Sequence, residues 1–277
     1  MMLERDAGVT PPSLAPERLR RRPGLAQRNR GVIQTGLSLA AGLVLWEIVG
    51  RFLVTDPLFF VPFSRVLEAL WQLAANGSLW RHVWVSTVEF TLGFLLAALI
   101  GTVLGIVIGA SRQIYALADP WISALYATPL VALTPFFILI FGIGLESKVA
   151  LVFTVAVFPA LINTIVGIRA VDRNYLEVAR SFNLSRRQTF TKVLIPAGLP
   201  FIVGGLRLAS GRGLIGVVVG ELFFSNAGVG HVLSLSAQTF NTAQLFAGVL
   251  IFALAGVLMN ELIGRLEARL APWREAP

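Results

Sequence analysis

Charged side chains crowd one short segment of a chain that is otherwise strongly apolar. Between positions 169 and 192 the sequence places Arg169, Arg173, Glu177, Arg180, Arg186, Arg187 and Lys192. Guanidinium and carboxylate groups form charge-assisted hydrogen bonds with polar groups of another molecule. A simple connecting loop would not require such a set, so the segment predicts a surface that binds another protein.

Helical periodicity in this segment separates apolar from charged positions. One face of a first predicted helix carries Tyr175, Val178, Ala179 and Phe182, and another carries Arg173, Glu177 and Arg180. Asn183 tolerates the left-handed conformation that ends a helix, and Leu184 can supply the hydrophobic contact of a Schellman stop. The sequence therefore predicts a short amphipathic helix that ends at Asn183.

A second helix is predicted directly after this stop. Ser185 and Gln188 form a capping box at its N-terminus, and the helix leads through Val193 and Ile195 to Pro196. Two helices joined by a tight turn would form a knob whose apolar residues anchor in a partner's groove, with arginines at the rim. The alternative is an ordinary basic loop beside the lipid headgroups, and spacing alone leaves both interpretations open.

The composition places this segment in a membrane protein. Of the 277 residues, 56% are hydrophobic and 14% are charged, which is far too apolar for a soluble domain. Alternation with a period of two is absent, so the predicted fold is an all-α integral membrane bundle of about six transmembrane helices. Six segments approach or exceed the ~20 apolar residues that a spanning helix needs, and they lie near positions 33–54, 84–110, 117–141, 149–168, 196–220 and 243–263.

The distribution of arginine and lysine orients these spans. Arginine collects in an N-terminal arm, in the charged segment, which also holds Lys192, and in a C-terminal tail, beside alternate span ends. By the positive-inside rule these three regions are cytoplasmic, so both termini are predicted in the cytoplasm. Membrane orientation thus explains the net charge of +8, and nucleic-acid binding is not predicted.

Three residues inside the predicted spans are candidates for a substrate path. Arg207 is predicted near the middle of the bilayer core, where an arginine indicates a functional site and could bind a carboxylate, sulfonate or nitrate group. A structural ion pair of Arg207 with Glu89 or Glu221 is the favoured alternative. Pro129 and Pro135 interrupt the third span, and broken helices often line translocation paths, with a packing kink as an equal alternative.

The motifs support neither an enzyme nor a metal site. No phosphate-binding loop of the G-x-x-x-x-G-K-[ST] type is present, so the chain is not expected to hydrolyse ATP. Cysteine is absent, no hydrolase motif occurs, and His82 and His231 are far apart in the sequence. A secondary transporter that uses Arg207 with Glu47 or Glu89 is the alternative class, but it would not need the charged segment.

The charged segment resembles the EAA signature of bacterial ABC-importer permeases, which is written E-A-A, three residues, Gly, nine residues, I-x-L-P. The stretch EVARSFN is followed nine residues later by VLIP. Glu177, Ala179 and Pro196 match the signature, and Val178, Asn183, Val193 and Ile195 depart from it. Asn183 stands at the Gly position and preserves access to the left-handed turn.

The resemblance extends over roughly residues 80–260 and is closest to the nitrate, sulfonate, taurine and bicarbonate permease subfamily. It is carried by HVWVSTVEFTLGF, ADPW, TPLVALTPFF, FPALINTIVGI, AGLPFIVGGLRLASG and GVGHVL. The resemblance implies a type I importer permease, which is a multi-pass subunit of the bacterial cytoplasmic membrane that carries a small anionic solute.

Partners and coupling residues are also implied by the resemblance. The partners would be a cytoplasmic ABC ATPase dimer that holds ATP and magnesium, an extracytoplasmic solute-binding protein and a second permease copy, preferably identical. No cofactor is expected in this chain. The residues implied in ATPase coupling are Tyr175, Glu177, Val178, Ala179, Arg180, Phe182, Asn183, Leu184 and Pro196.

The expected organisation has four parts. Residues 1–31 form a cytoplasmic basic arm that is expected to be disordered, and residues 32–83 hold the first span and an outer interfacial segment. Residues 84–264 form the permease core, which includes the cytoplasmic coupling segment 170–192. Residues 265–277 form a cytoplasmic tail.

Overall fold

The computed structural model of the protein describes residues 25–54, 56–223 and 225–271, and of residues 25–32 the backbone alone. Within these ranges no strand occurs. The α-helices are α1 Leu25–Ile48, α2 Phe63–Ala75, α3 Ser78–Ala110, α4 Arg112–Ala127, α5 Thr134–Phe141, α6 Leu145–Arg169, α7 Arg173–Ser181, α8 Arg186–Thr189, α9 Ile195–Leu222, α10 Val229–Gln238 and α11 Thr242–Leu270. A π-helical turn Val49–Leu53 extends α1, a 3-10 turn Leu130–Leu133 precedes α5, and a π-helical turn Phe190–Leu194 joins α8 to α9.

Five helical segments of the described chain are long and apolar enough to cross a membrane. They are Ile33–Leu53, Ser78–Ala110, Leu145–Arg169, Arg186–Leu222 and Thr242–Leu270. A sixth candidate consists of α4 and Leu130–Phe141, which together are bent by 77°. The prediction of an all-α membrane fold with about six spanning helices is therefore confirmed, with the third span broken.

Proline positions account for the broken span. Pro129 lies immediately before the 3-10 turn, and Pro135 occupies the first turn of α5, where its missing N–H leaves no helical hydrogen bond unmade. The interruption of the third span at these two prolines is thus confirmed. Helix α6, in contrast, continues without interruption through Pro159 to Arg169.

The centre of the bundle consists of α3, α6 and α9, which pack along most of their lengths. Small buried residues of α3 recur at every fourth position and face α6, namely Gly93, Ala97, Gly101, Gly105 and Gly109. A Cβ atom at Gly105 would lie 2.6 Å from Thr164 Cβ and 2.9 Å from the Leu161 carbonyl oxygen. The two backbones can approach this closely only because the seam lacks side chains.

The opposite side of α6 packs against α9 in the same way. A Cβ atom at Gly205 would lie 2.7 Å from Asn163 Cβ, and one at Gly216 would lie 2.8 Å from Val155 Cγ2. Beyond α9, helix α11 runs antiparallel and brings Gly256 near Leu214. As a result α6 is the most completely buried of the five continuous spans.

Helix α1 is attached to the bundle near its outer end. Trp46 Nε1 donates a hydrogen bond to the Val61 carbonyl at 3.0 Å, and its ring contacts those of Phe60, Phe63 and Phe246. Most other described side chains of α1 are exposed and apolar, as expected for a helix that faces lipid. The first span is therefore peripheral to the core.

Two expected boundaries differ from the structure. Helix α1 begins at Leu25, so residues 25–31 are helical although they were assigned to a disordered arm. Helix α11 continues to Leu270, so residues 265–270 of the expected cytoplasmic tail are helical. Both extensions follow from apolar or helix-favouring residues that continue the helical period beyond the hydrocarbon core. Residues 1–24 and 272–277 lie outside the described ranges.

Candidate functional site

The charged segment folds as two short helices, α7 and α8, beyond the end of α6. Asp172 caps α7 because its side chain accepts a hydrogen bond from the Asn174 amide at 2.9 Å. Ser185 caps α8 through the predicted capping box, with the Gln188 side chain accepting from the Ser185 amide at 2.8 Å. Local sequence signals therefore determine where both helices begin.

A left-handed residue joins the two helices. Asn183 has φ of 52°, and its amide donates to the Arg180 carbonyl at 2.8 Å. The Leu184 amide donates to the Ala179 carbonyl at 3.0 Å, which completes the two hydrogen bonds of a Schellman motif. The predicted helix stop is therefore confirmed at Asn183.

Helix α8 continues into the membrane without a break. The π-helical turn Phe190–Leu194 leads directly into α9, in which Pro196 occupies the first turn. Together these elements form one helical span from Arg186 to Leu222. A displacement of the α7–α8 turn would therefore be transmitted along α9 to the helices that pack against it.

Six of the nine predicted coupling residues line one open groove of about 630 Å³, and Glu177, Arg180 and Asn183 do not. We call it the cytoplasmic groove, and its lining residues are Tyr175, Val178, Ala179, Phe182, Leu184, Lys192, Val193, Pro196 and Ala197. Ala179 is buried, whereas Phe182, Tyr175 and Val178 remain 75%, 60% and 54% exposed. Large apolar side chains with this exposure, held on a well-capped helix outside the hydrophobic bundle, are typical of a protein-binding surface.

Charged residues surround the cytoplasmic groove. Glu177, Arg180 and Arg186 are exposed, and none of them forms an ion pair with another residue of the described chain. Arg173 and Arg187 are likewise exposed and unpaired within the described ranges. We call these five side chains the rim, and none of them has an ion-pair partner within the described chain.

Arg207 has a different partner from those expected. Its Nη2 atom lies 2.9 Å from Glu267 Oε2 and beside Gly264, in the last two turns of α11. The expected pairs with Glu89 and Glu221 are wrong because those two carboxylates lie at the opposite, outer end of the bundle. Glu267 is 25 residues from the start of α11, or about 37 Å along the helix, which exceeds a hydrocarbon core of about 30 Å. The guanidinium of Arg207 thus lies toward the cytoplasmic end and not at mid-depth.

Buried polar groups meet at the outer end in an arrangement that the sequence did not reveal. We call Ser86, Glu89, Lys148, Glu221 and Ser225 the outer polar cluster. The Glu89 and Glu221 side chains are almost fully buried, and Ser86 Oγ donates to Glu221 Oε1 at 2.6 Å. Lys148 Nζ lies 3.0 Å from Glu89 Oε1 and donates to Ser225 Oγ at 2.8 Å.

This cluster holds the beginning of α10 against the bundle. The Val229 amide donates to Ser86 Oγ at 2.9 Å, the Gly230 amide donates to Glu221, and the Gly228 amide donates to His82 Nδ1 at 3.1 Å. His82 and His231 lie with ring centroids 6.1 Å apart, although 149 positions separate them in the chain. No group of three or more metal-ligating side chains occurs among the described residues. The only sequence signal for this cluster was the unusual presence of charges inside apolar spans.

These features define an integral membrane protein whose helical bundle carries a two-helix knob with exposed apolar and charged side chains. The profile of a known protein family, described as "Binding-protein-dependent transport system inner membrane component", matches residues 101–274. The chain therefore belongs to that family of transport permeases. The family's description names a binding-protein-dependent transport system, and neither its energy source nor its solute is part of that description.

Known relatives agree with this assignment. The chain is 36% identical over 276 residues to the putative aliphatic sulfonates transport permease protein SsuC of Bacillus subtilis strain 168, covering 99% of each chain. It is also 36% identical over 233 residues to the riboflavin transport system permease protein RibX of Chloroflexus aurantiacus, covering 83% of this chain and 86% of that one. The subfamily resemblance seen in the sequence is thus confirmed.

A solved structure supports the fold. The inward-facing MetNI methionine ABC transporter contains a chain that superposes with a TM-score of 0.62 at 17% identity, covering 69% of this chain and 95% of that one. At this identity the similarity concerns the fold alone. The expected type I importer permease architecture is therefore confirmed.

Proposed function

We propose that this chain is the membrane-spanning subunit of an ATP-driven importer and that α7 and α8 couple it to a separate ATPase. The observation that carries this proposal is the cytoplasmic groove with its exposed Phe182 and Tyr175 and its unpaired charged rim. Apolar anchors surrounded by charges are the composition of a specific protein interface.

The proposed mechanism uses the continuity of α8 with α9. ATP and magnesium would be held by the ATPase, since this sequence has no phosphate-binding loop. When two ATPase subunits close, they would draw two copies of the α7–α8 knob together. Because α9 packs closely on α6 and α11, the helices would then move as rigid bodies between inward-open and outward-open states.

For the substrate we propose a small anion such as a sulfonate, taurine or nitrate. Support comes from the identity with a permease named for aliphatic sulfonates, over nearly all of both chains. An uncharged solute is the second candidate, because a riboflavin permease is equally identical over a shorter region. Competition of radiolabelled ethanesulfonate uptake by unlabelled anions or by riboflavin separates the two.

The remaining partners follow from the same proposal. An extracytoplasmic solute-binding protein would deliver the substrate to the outer face, near α10, and a second copy of this chain would complete the permeation path. The distribution of basic residues supports a cytoplasmic location for both termini, and family membership supports the bacterial inner membrane as the location that we propose.

Capture of the partner ATPase tests the proposal most directly. The chain is purified in detergent together with the ATPase encoded nearest to it, and the wild type is compared with a variant in which residues 173–188 are replaced by a Gly-Ser linker. We expect the wild type alone to retain the ATPase. If a wild-type bundle that elutes as a single species captures no ATPase, the coupling assignment is wrong.

A single charge reversal gives a sharper prediction. Glu177→Arg is expected to reduce solute uptake by at least ~10-fold, since a rim charge that meets its partner with the wrong sign costs several kcal/mol of binding. Glu68→Arg is the matched control, because Glu68 is also an exposed glutamate on a short helix but lies at the outer face. Uptake in proteoliposomes measures both, and normal uptake by the Glu177→Arg variant would contradict the role of the rim.

A further inference from the structure

Arg212 lies at the middle of the membrane-spanning bundle. It is 10 residues before Leu222, the outer end of α9, or about 15 Å along the helix, which is half of a 30 Å hydrocarbon core. Residues close to Arg212 on α9 also contact the interior of other spans. Leu214 lies beside Gly256, the central residue of α11, and Gly216 lies beside Val152 and Val155, close to the centre of α6.

Arg212 differs from the other cations of these helices. Lys148 pairs with Glu89, Arg207 pairs with Glu267, and the remaining arginines lie near helix ends. Within the described chain Arg212 is exposed and forms neither a hydrogen bond nor an ion pair. An unpaired guanidinium at this depth is strongly unfavourable in hydrocarbon, and from mid-depth its side chain is too short to reach a headgroup.

The face of α9 that carries Arg212 is also the face left uncovered by the rest of the chain. Phe201, Leu208 and Ile215 recur on it at intervals of seven residues and are 44%, 58% and 50% exposed. A Cβ atom at Gly204 or Gly211 would meet nothing within 4 Å, in contrast to the crowded glycines on the faces toward α6. This face is therefore open to a substrate path or to a second copy.

We propose that Arg212 binds the anionic group of the transported solute, in a water-filled path between two copies of the chain. The inference rests on the proposed importer function and adds to it a substrate-binding residue. A guanidinium presents two parallel N–H groups to a sulfonate, carboxylate or nitrate oxygen pair. The glycine at position 211 leaves room for a solute beside the side chain. In the dimer, two Arg212 side chains would face the path at the same depth.

The position of Arg212 fits this role better than that of Arg207. Glu267 already neutralises Arg207, and that pair lies near the cytoplasmic end, whereas Arg212 retains an uncompensated charge at mid-depth. Lipid headgroups cannot supply the anion there, because they lie about 15 Å away at either interface. A soluble anion in the path is thus the ligand that the location admits.

Thiol labelling tests the path even while the transported solute is unidentified. The protein contains no cysteine, so Ile215→Cys introduces its only thiol, one helical turn from Arg212. Leu254→Cys is the matched control. Leu254 lies near the centre of α11, is 56% exposed and is on the side of α11 away from Gly256, which contacts α9, so we expect it to face lipid. In membranes that contain the assembled transporter, we expect 2-sulfonatoethyl methanethiosulfonate to modify the first variant and not the second.

The charge of the reagent tests the role of Arg212 itself. The anionic sulfonatoethyl reagent is compared with its cationic counterpart, 2-(trimethylammonium)ethyl methanethiosulfonate, and each reaction rate is divided by the rate with a free thiol. With Arg212 present, we expect the anionic reagent to modify the Ile215→Cys variant faster than the cationic reagent. Adding Arg212→Gln should lower this ratio by about 10-fold, because the nearby positive charge that attracts one reagent and repels the other is lost. A ratio that Arg212→Gln leaves unchanged, or an unreactive Ile215→Cys variant, would overturn the proposal.

Uptake and ATPase capture separate this inference from the proposed function. Arg212→Gln should reduce ethanesulfonate uptake by at least ~10-fold while ATPase capture stays at the wild-type level. Uptake by the Arg212→Lys variant should be intermediate, because lysine keeps the positive charge but lacks the two parallel N–H groups of the guanidinium. Normal uptake by the Arg212→Gln variant would reject the proposed role of Arg212 and leave the importer function intact. Failure of the wild type to capture the ATPase would instead reject the importer function.

Discussion

At the scale of single residues, the turn between α7 and α8 depends on one backbone conformation. Asn183 occupies the left-handed region with φ of 52°, where glycine is the residue of least steric cost and asparagine is the next most tolerated. This explains how the chain departs from the glycine of the EAA signature and still forms the Schellman turn. The orientation of the cytoplasmic groove thus depends on whether position 183 can adopt a positive φ.

Two substitutions at this position should have opposite outcomes. Asn183→Gly is expected to preserve ATPase capture and uptake, whereas Asn183→Val should destabilise the turn by about 1–2 kcal/mol because a β-branched side chain clashes in the left-handed region. Limited proteolysis at the α7–α8 turn and ATPase capture measure the effect. Equal protease resistance of the two variants would mean that the turn does not require this conformation.

At the scale of elements, the α3–α6 seam determines how closely the central helices approach. The buried glycines of α3 bring its backbone against Thr164 and the Leu161 carbonyl oxygen, which cannot rotate away as a side chain would. Packing at close range replaces the hydrophobic effect as the source of helix association in lipid. The seam therefore has little tolerance for added volume.

Gly105→Ala should lower the stability of the detergent-solubilised protein by about 1–3 kcal/mol, because the new methyl group would overlap α6. Gly36→Ala is the control, since a Cβ atom at Gly36 meets nothing within 4 Å and alanine favours the helix. Thermal unfolding followed by tryptophan fluorescence compares the two. A Tm for Gly105→Ala equal to that of Gly36→Ala would contradict the close packing.

The outer polar cluster links α3, α6, α9 and α10 through buried charges. Lys148→Met alone should destabilise the bundle by about 3–5 kcal/mol, because it leaves the Glu89 carboxylate buried without its cation. Adding Glu89→Gln should recover most of this loss, since no buried charge of the pair then remains. Thermal unfolding of the two single variants and the double variant measures the coupling, and simple additivity of the two effects would show that the pair does not interact.

At the scale of the whole molecule, one chain does not provide a path across the membrane. Residues at the centre of the described bundle, including Leu151, Val152, Ala156, Ala160 and Thr164, are at most 1% exposed, so α3, α6 and α9 leave no opening between them. Meanwhile α9 presents the open face that carries Arg212, and α4 and α5 contribute no more than one buried residue. We therefore expect the permeation path to form between this chain and a second subunit.

The second subunit is expected to be another copy of this chain. When versions with a His tag and a Strep tag are expressed together with the ATPase, both should be recovered after purification on either tag alone. A complex of defined size that contains one tagged version only would instead indicate a different second permease. Mixing separately purified versions before the affinity step controls for exchange in detergent.

Much of the fold and of the cytoplasmic site was determined by the sequence alone, because the relevant signals are local. Apolar length predicted the spans, and basic residues oriented them. The capping box at Ser185 and the stop at Asn183 depend only on residues within one or two helical turns, so the two-helix knob was predictable before its surroundings were known.

Contacts between helices that are distant in the chain were decided only by the tertiary structure. The pairing of Arg207 with Glu267, the meeting of His82 with His231 and the isolation of Arg212 depend on the tilt and register of packed helices. Counting residues from position 196 placed Arg207 at mid-depth. The helical span Arg186–Leu222 is 37 residues long, so its cytoplasmic part extends beyond the hydrocarbon core and position 196 does not mark the inner edge of that core. The register between two packed helices is determined by the combined contacts of many small side chains along their seam. These contacts involve segments that are distant in the chain, so no single local segment encodes the register.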